Sequence, residues 1–169
     1  LRKHAAGEVA LSNKIRIAFY KGPVNWRTRI VMWWTGSEYT HAELVLPSGD
    51  SLGICPDDAG TVRLRKIKFQ DDHWDFIEID ITKRQLHDII NFFTETHGCR
   101  YDWIGMILSH LFPFYLKRDN KWYCSQWIAC ALTISNVMSF MYNKITPGKL
   151  YDILSVRINN NLLPGRVDE

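Results

Sequence analysis

Thr35-Gly36-Ser37-Glu38-Tyr39-Thr40-His41-Ala42-Glu43-Leu44-Val45-Leu46 is the stretch on which the fold turns. Its polar, glycine-containing first half reads as a loop, and its second half reads as a β-strand that begins at His41. Strand geometry puts Glu43 on the same face as His41 and turns Ala42 and Leu44 toward the opposite layer. Pro47-Ser48-Gly49 then supplies a hairpin connection to a second strand, Asp50 to Ile54. A histidine at the start of a strand is placed to reach the end of a neighbouring helix.

Upstream, Ile15-Arg16-Ile17-Ala18-Phe19 reads as a strand that stops at Lys21-Gly22-Pro23. Val24 to Trp34 has a helical period, with Trp26, Ile30 and Trp33 or Trp34 three and four residues apart. Downstream, Trp74 to Ile79 is a further strand. Thr82 and Gln85 have the spacing of a capping box. The stripe Leu86, Ile89, Ile90, Phe93 predicts a helix that ends at Gly98. Asp102 is placed to cap a second helix through His110, and a third is expected from Cys124 to Met138, bounded by Lys117–Lys121 and Asn143–Gly148. Strands early and helices late predict an α+β fold: an antiparallel sheet of about four to six strands packed against the helix that bears Cys124.

The chain has 169 residues, 46% hydrophobic and 23% charged, which suits one packed core over residues 15–169 with no metal or disulfide needed to staple it. Residues 1–14 read as an N-terminal extension, a processed end or an artificial remnant. They contain no apolar core of a signal peptide. The longest apolar run, Ile104 to Leu116, is interrupted by Ser109, His110 and Pro113 and is shorter than the roughly 20 residues of a membrane helix. The net charge of +3 does not point to nucleic acid. The four cysteines, Cys55, Cys99, Cys124 and Cys130, form no C-x-x-C pair, which favours a reducing, cytoplasmic-type compartment.

Cys124 is where chemistry is expected. A thiol attacks as thiolate, and a helix start beside a histidine lowers its pKa through the helix dipole and the imidazolium charge. Cys124 opens the apolar helical pattern Trp127, Ile128, Ala131, Leu132. The bland alternative is an inert buried thiol. His41-Ala42-Glu43 also matches half of a zinc deaminase signature, but the P-C-x-x-C half is missing. Cys124 and Cys130 lie about 240° apart around a helix, too far round to share one ion. Val62 to Phe69 mixes basic and apolar residues and reads as a strand with a solvated cationic face; its alternative is a nucleic-acid-binding strip, which no other signature accompanies. Trp103 to Leu116 is apolar around most of its circumference, so it is either core or a lipid-contacting wall.

Taken together, Lys21-Gly22-Pro23, Arg29-Ile30, Thr35 to Val45, Tyr101-Asp102, Tyr123-Cys124-Ser125-Gln126 and Thr146 to Tyr151 resemble the motifs of the circularly permuted NlpC/P60 proteins, the YiiX-like group of papain-like folds. The resemblance spans about residues 15 to 155. Gln126 stands where the family often has Glu. The histidine comes 124 − 41 = 83 residues before the cysteine, the reverse of the ordinary papain order. The resemblance implies a permuted papain-like domain with Cys124 as nucleophile and His41 as its base. It takes the third, imidazole-orienting residue from the strand after the histidine strand, where Ser51 is the polar residue well inside; Glu43, on the histidine strand itself, is the rival. It further implies a thiol hydrolase acting on a peptide or peptidoglycan-type amide without a cofactor or a metal. The alternatives are an acyltransferase or thioesterase on acyl-lipid substrates, with 103–116 as lipid contact, and a catalytically silent binding module.

Overall fold

The computed structural model describes residues 13–23, 29, 32–33, 36–56, 58–102, 121–140 and 145–160. In chain order their elements are β1 (Asn13–Tyr20), β2 (His41–Val45), β3 (Ser51–Cys55), β4 (Asp58–Arg65), β5 (Trp74–Ile81), α1 (Lys83–Thr96), β6 (Arg100–Tyr101), β7 (Lys121–Trp122), α2 (Cys124–Ile134) and α3 (Pro147–Asn159). The fold is α+β. Among the described residues the sheet has seven strands, in the order β5-β1-β2-β3-β4-β6-β7. That exceeds the four to six expected because two strands of two residues, β6 and β7, extend one edge. Neighbours are antiparallel except β6 and β7, which run parallel.

Alternation in β1 buries Ile15, Ile17 and Phe19 on one face, and the register carries that face across the sheet through Ala42 and Leu44, Leu52 and Ile54, and Val62. The helices supply the rest of the same core. α2 is buried from Cys124 through Leu132, as expected of a helix apolar nearly all round. Its Trp127 Nε1 donates to Thr96 Oγ1 at 2.9 Å and its ring meets Phe92, which ties α2 to α1.

α1 has the capping box its sequence promises: Gln85 N–H donates to Thr82 Oγ1 at 3.2 Å, and Thr82 N–H to Gln85 Oε1 at 2.9 Å. Its inward stripe is Ile89, Phe92 and Thr96, with Leu86 and Phe93 beside it, while Ile90 faces solvent at 41% exposure. The β2–β3 hairpin closes as read, with Gly49 at φ +86° and Leu46 N–H donating to Asp50 at 2.8 Å.

Two readings need correction. The third helix ends at Ile134, not Met138: Asn136 adopts φ +54° while Val137 N–H bonds Leu132 and Asn136 N–H bonds Thr133, the paired bonds of a Schellman end. Asn143 to Gly148 was expected to close that helix as a loop, yet Thr146 starts α3. Its Oγ1 accepts from Lys149 N–H at 3.1 Å, and Pro147 occupies the first turn, where its missing N–H costs nothing. Gly148 is required there because a Cβ would collide with Ser37. The 36–40 loop is thereby seated on α3, with Tyr39 against Tyr151 (ring centres 4.5 Å) and Tyr39 O–H donating to Asp75 at 2.6 Å. β2 therefore starts from a braced position. The helix expected over Asp102 to His110, the apolar run 103–116 and most of Val24 to Trp34 lie outside the described residues.

Candidate active site

His41 is the first residue of β2 and Cys124 the first of α2, and the two side chains are hydrogen-bonded. His41 Nε2 lies 2.7 Å from Glu43 Oε1, which leaves Nδ1 as the ring nitrogen for Cys124. Cys124, His41 and Glu43 thus form one hydrogen-bonded run. Tyr123, the N-cap of α2, makes no side-chain cap bond to the first-turn N–H groups of the helix. One of them, Ser125 N–H, donates to the Cys124 sulfur, as does Ala42 N–H from β2.

The electrostatics follow from this packing. Burial pushes the Cys124 thiol up, but the His41 charge and hydrogen bond and the two backbone donors outweigh it, so the thiol lies below its ordinary pKa. Burial likewise opposes charge on His41. The neighbouring Cys124 and then Glu43 overcome it, and the imidazole is held well above its ordinary value. An imidazolium–thiolate pair is the resting state these shifts favour.

Glu43 is fully buried. Its carboxylate stays below its ordinary pKa, despite burial, because His41 on one side and Arg63 on the other both stabilise the anion. Arg63 Nη1 donates to Oε2 at 3.0 Å and Nη2 to Oε1 at 2.8 Å, a two-pronged hold. Arg63 sits on β4 opposite Gly53 of β3, so the guanidinium reaches Glu43 across a residue with no side chain. A Cβ on Gly53 would run into the Glu43 carboxylate, 2.9 Å from its Cδ. Gly53→Ala is therefore expected to destabilise by about 1–3 kcal/mol, the usual cost of overpacking, read as a lower Tm.

Ser51, the other orienting candidate, lies opposite Val45. Four residues of strand, about 13 Å at 3.3 Å per residue, separate its level from His41. Its Oγ is buried with no hydrogen-bond partner. Val62–Phe69, read as a strand with a solvated cationic face, is instead the second half of β4 and a loop. Arg63 is turned inward, its side chain only 13% exposed, because Glu43 and Asp58 bind it.

Sequence reading missed three contributors. Arg63 and Gly53 had a signal: a glycine inside a strand marks a close approach, and alternation puts Arg63 on one cross-strand row with it. The third is Tyr101 of β6, whose phenol shares its surroundings with Cys124 and Cys55. Burial first, then those sulfurs, raise its pKa well above the ordinary value, so its O–H keeps its proton. Half-exposed Trp74 meets the imidazole edge-on, its ring 6.3 Å from that of His41.

Among the described residues no group of three or more His, Cys, Asp or Glu side chains is arranged to hold a metal ion, and no helix is long and apolar enough to cross a membrane. Comparison with protein-family models and with curated proteins finds no match.

Proposed function

We propose that this chain is a cysteine hydrolase that cleaves an amide bond, with Cys124 as nucleophile, His41 as acid–base and Glu43 as the orienting carboxylate. The observation that carries the reading is the hydrogen-bonded run Cys124–His41–Glu43, placed at a helix start and ended by a buried, ionised carboxylate. An inert core thiol has no use for that arrangement. It lacks the lowered pKa, the charged partner and the two backbone donors.

In this account the Cys124 thiolate attacks the substrate carbonyl, forming a C–S bond and an oxyanion. The Cys124 backbone N–H, at the start of α2, is the donor assigned to that oxygen. His41 passes its proton to the departing amine, and the acyl group stays on sulfur. Neutral His41 then takes a proton from water, whose oxygen attacks the thioester. The acid leaves and the ion pair is restored. Glu43 keeps the imidazole aimed throughout and stabilises its cationic form.

The fold we assign to this chemistry is the permuted papain-like arrangement of the YiiX-like NlpC/P60 group. Two features support it: the histidine strand precedes the cysteine helix, and that strand lies inside the sheet beside β1 and β3 with α2 in the shared core. The resemblance of the motifs gives the substrate class, a peptide or peptidoglycan-type amide.

A panel of amide, ester and thioester probes tests the assignment. Turnover of an amide by the wild-type chain, and its loss to background in Cys124→Ala, is the expected result. Turnover confined to acyl esters or thioesters would move the substrate to acyl lipids. A folded protein that turns over none of them, and whose partner binding is unchanged by Cys124→Ala, would be a silent binding module.

A further inference from the structure

Glu43 is gripped from two sides, and only the His41 side belongs to the chemistry proposed above. On the other side the hold continues outward. Arg63 Nε donates to Asp58 Oδ2 at 3.0 Å, and Arg65 Nη1 lies 2.6 Å from the same oxygen. Asp58 therefore fixes the plane of the Arg63 guanidinium, whose two remaining prongs reach over Gly53 and occupy both Glu43 oxygens. A carboxylate held at both oxygens cannot rotate, and Oε1 is left facing His41 Nε2.

We propose that Arg63 is a positioning residue of this site: anchored by Asp58, it fixes the aim and the ionisation of Glu43, and through Glu43 and His41 it sets the pH at which Cys124 becomes nucleophilic. The proposal rests on the reading of the site as a thiol hydrolase.

The charge inventory supports it. Among the described residues, the titratable and charged groups around the thiol and its partners include His41 and Glu43 from β2, Cys55 from the end of β3, and Arg63, Asp58 and Arg65 from β4. Tyr101 and Asp102 come from β6 and the residue after it, and Tyr123 precedes α2. Asp75 on β5 is bound by Lys21 and Tyr39. Arg65, half exposed, bonds Asp58. Among the described residues, Arg63 and the imidazolium are thus the two cations on Glu43.

Without Arg63, the buried carboxylate has two courses. It takes up a proton, and His41 loses its anionic partner; or it stays charged with less compensation, and its field opposes a thiolate nearby. Both make Cys124 harder to ionise. The direction of the effect is the same either way.

The experiment is iodoacetamide labelling of the full chain from about pH 4 to 9, with Cys124 followed by peptide mass mapping alongside matched thermal melts and turnover. In Arg63→Met the acid limb of Cys124 reactivity should move up by about one pH unit, about tenfold less reaction on that limb. Arg63→Lys should recover most of that shift, since the charge is kept, while turnover stays below wild type because a point charge cannot hold both oxygens. In a Glu43→Gln background, Arg63→Met should move the limb no further. A folded Arg63→Met protein with the wild-type acid limb would overturn the proposal. So would an Arg63→Met shift as large in the Glu43→Gln protein as in wild type, since Arg63 would then act independently of Glu43. If Arg63→Met does not fold, Arg63→Gln, which keeps amide donors without the charge, is judged by the same two criteria. A wild-type Cys124 no more reactive than the other thiols would instead sink the hydrolase reading and this proposal with it.

Discussion

Glu43→Gln is expected to lower turnover by up to about 10⁴ and to destabilise the protein by about 3–5 kcal/mol. The first figure is what the loss of a strict carboxylate orienter costs in a histidine-based triad. The amide can still accept from His41 Nε2, but it cannot stabilise the imidazolium, so the damage falls on turnover more than on substrate binding. The second figure comes from burial. Glu43 has no solvent exposure and carries Arg63 on both oxygens, and breaking a buried ion pair by removing one partner leaves a charge unmatched. At about 2–4 °C per kcal/mol for a chain of this size, Tm should fall by at least about 6 °C.

A pH dependence accompanies it. Burial favours the protonated form of Glu43, but His41 and Arg63 prevail and depress its pKa below the ordinary 4.5. A depressed carboxylate contributes stability that is complete above its unfolded pKa and is lost as pH falls through the folded one. Thermal melts in the acid range should therefore show a wild-type loss that Glu43→Gln largely lacks. Ser51→Ala is the control, expected to be nearly silent in turnover and Tm because the Ser51 hydroxyl is buried without a partner to lose. If Ser51→Ala damaged turnover more than Glu43→Gln, the orienting role would pass to Ser51.

His41→Ala is expected to cost about 10²–10⁴ in turnover, the range of a general acid–base. Its cost in stability should be smaller than that of Glu43→Gln, since the imidazole is partly exposed at the end of the sheet. It should also slow Cys124 alkylation with a defined pH signature. The imidazolium lowers the thiol pKa, so the wild-type advantage is largest below the ordinary thiol range and closes as alkali ionises the thiol in both proteins. A rate difference that persisted unchanged into alkali would indicate altered access to the sulfur rather than altered ionisation.

How much of this was legible in the sequence depended on range. The 47–49 hairpin, the Thr82–Gln85 capping box and the start of α2 are written in neighbouring residues, and each formed as read. His41 and Cys124 were picked out singly by local context: one starts a strand, the other a helix. What brings them together is long-range packing. The Arg63 hold on Glu43 was hidden because it depends on register across three strands, and a run of alternating cations reads locally as a solvated face. α3 was hidden because Pro147-Gly148 looks like a turn; the glycine is explained by Ser37, more than a hundred residues earlier. The end of α2 was overrun because the apolar pattern continues to Met138, whereas Asn136 takes a left-handed conformation and stops the helix four residues sooner.

The central claim is that Cys124 rests as a thiolate beside the His41 imidazolium, and the relative rates of alkylation of the four cysteines at about pH 6 test it most directly. Accessibility and ionisation make opposite forecasts here. Cys55 and Cys99 are partly exposed, while Cys124 is 4% and Cys130 5% exposed. If access governed, Cys55 and Cys99 would label first and Cys124 would trail with Cys130. The ion pair instead predicts that Cys124 labels first by a wide margin in wild type and falls back among the others in His41→Ala. Preferential labelling of Cys55, Cys99 or Cys130 in the folded wild-type protein would contradict the account.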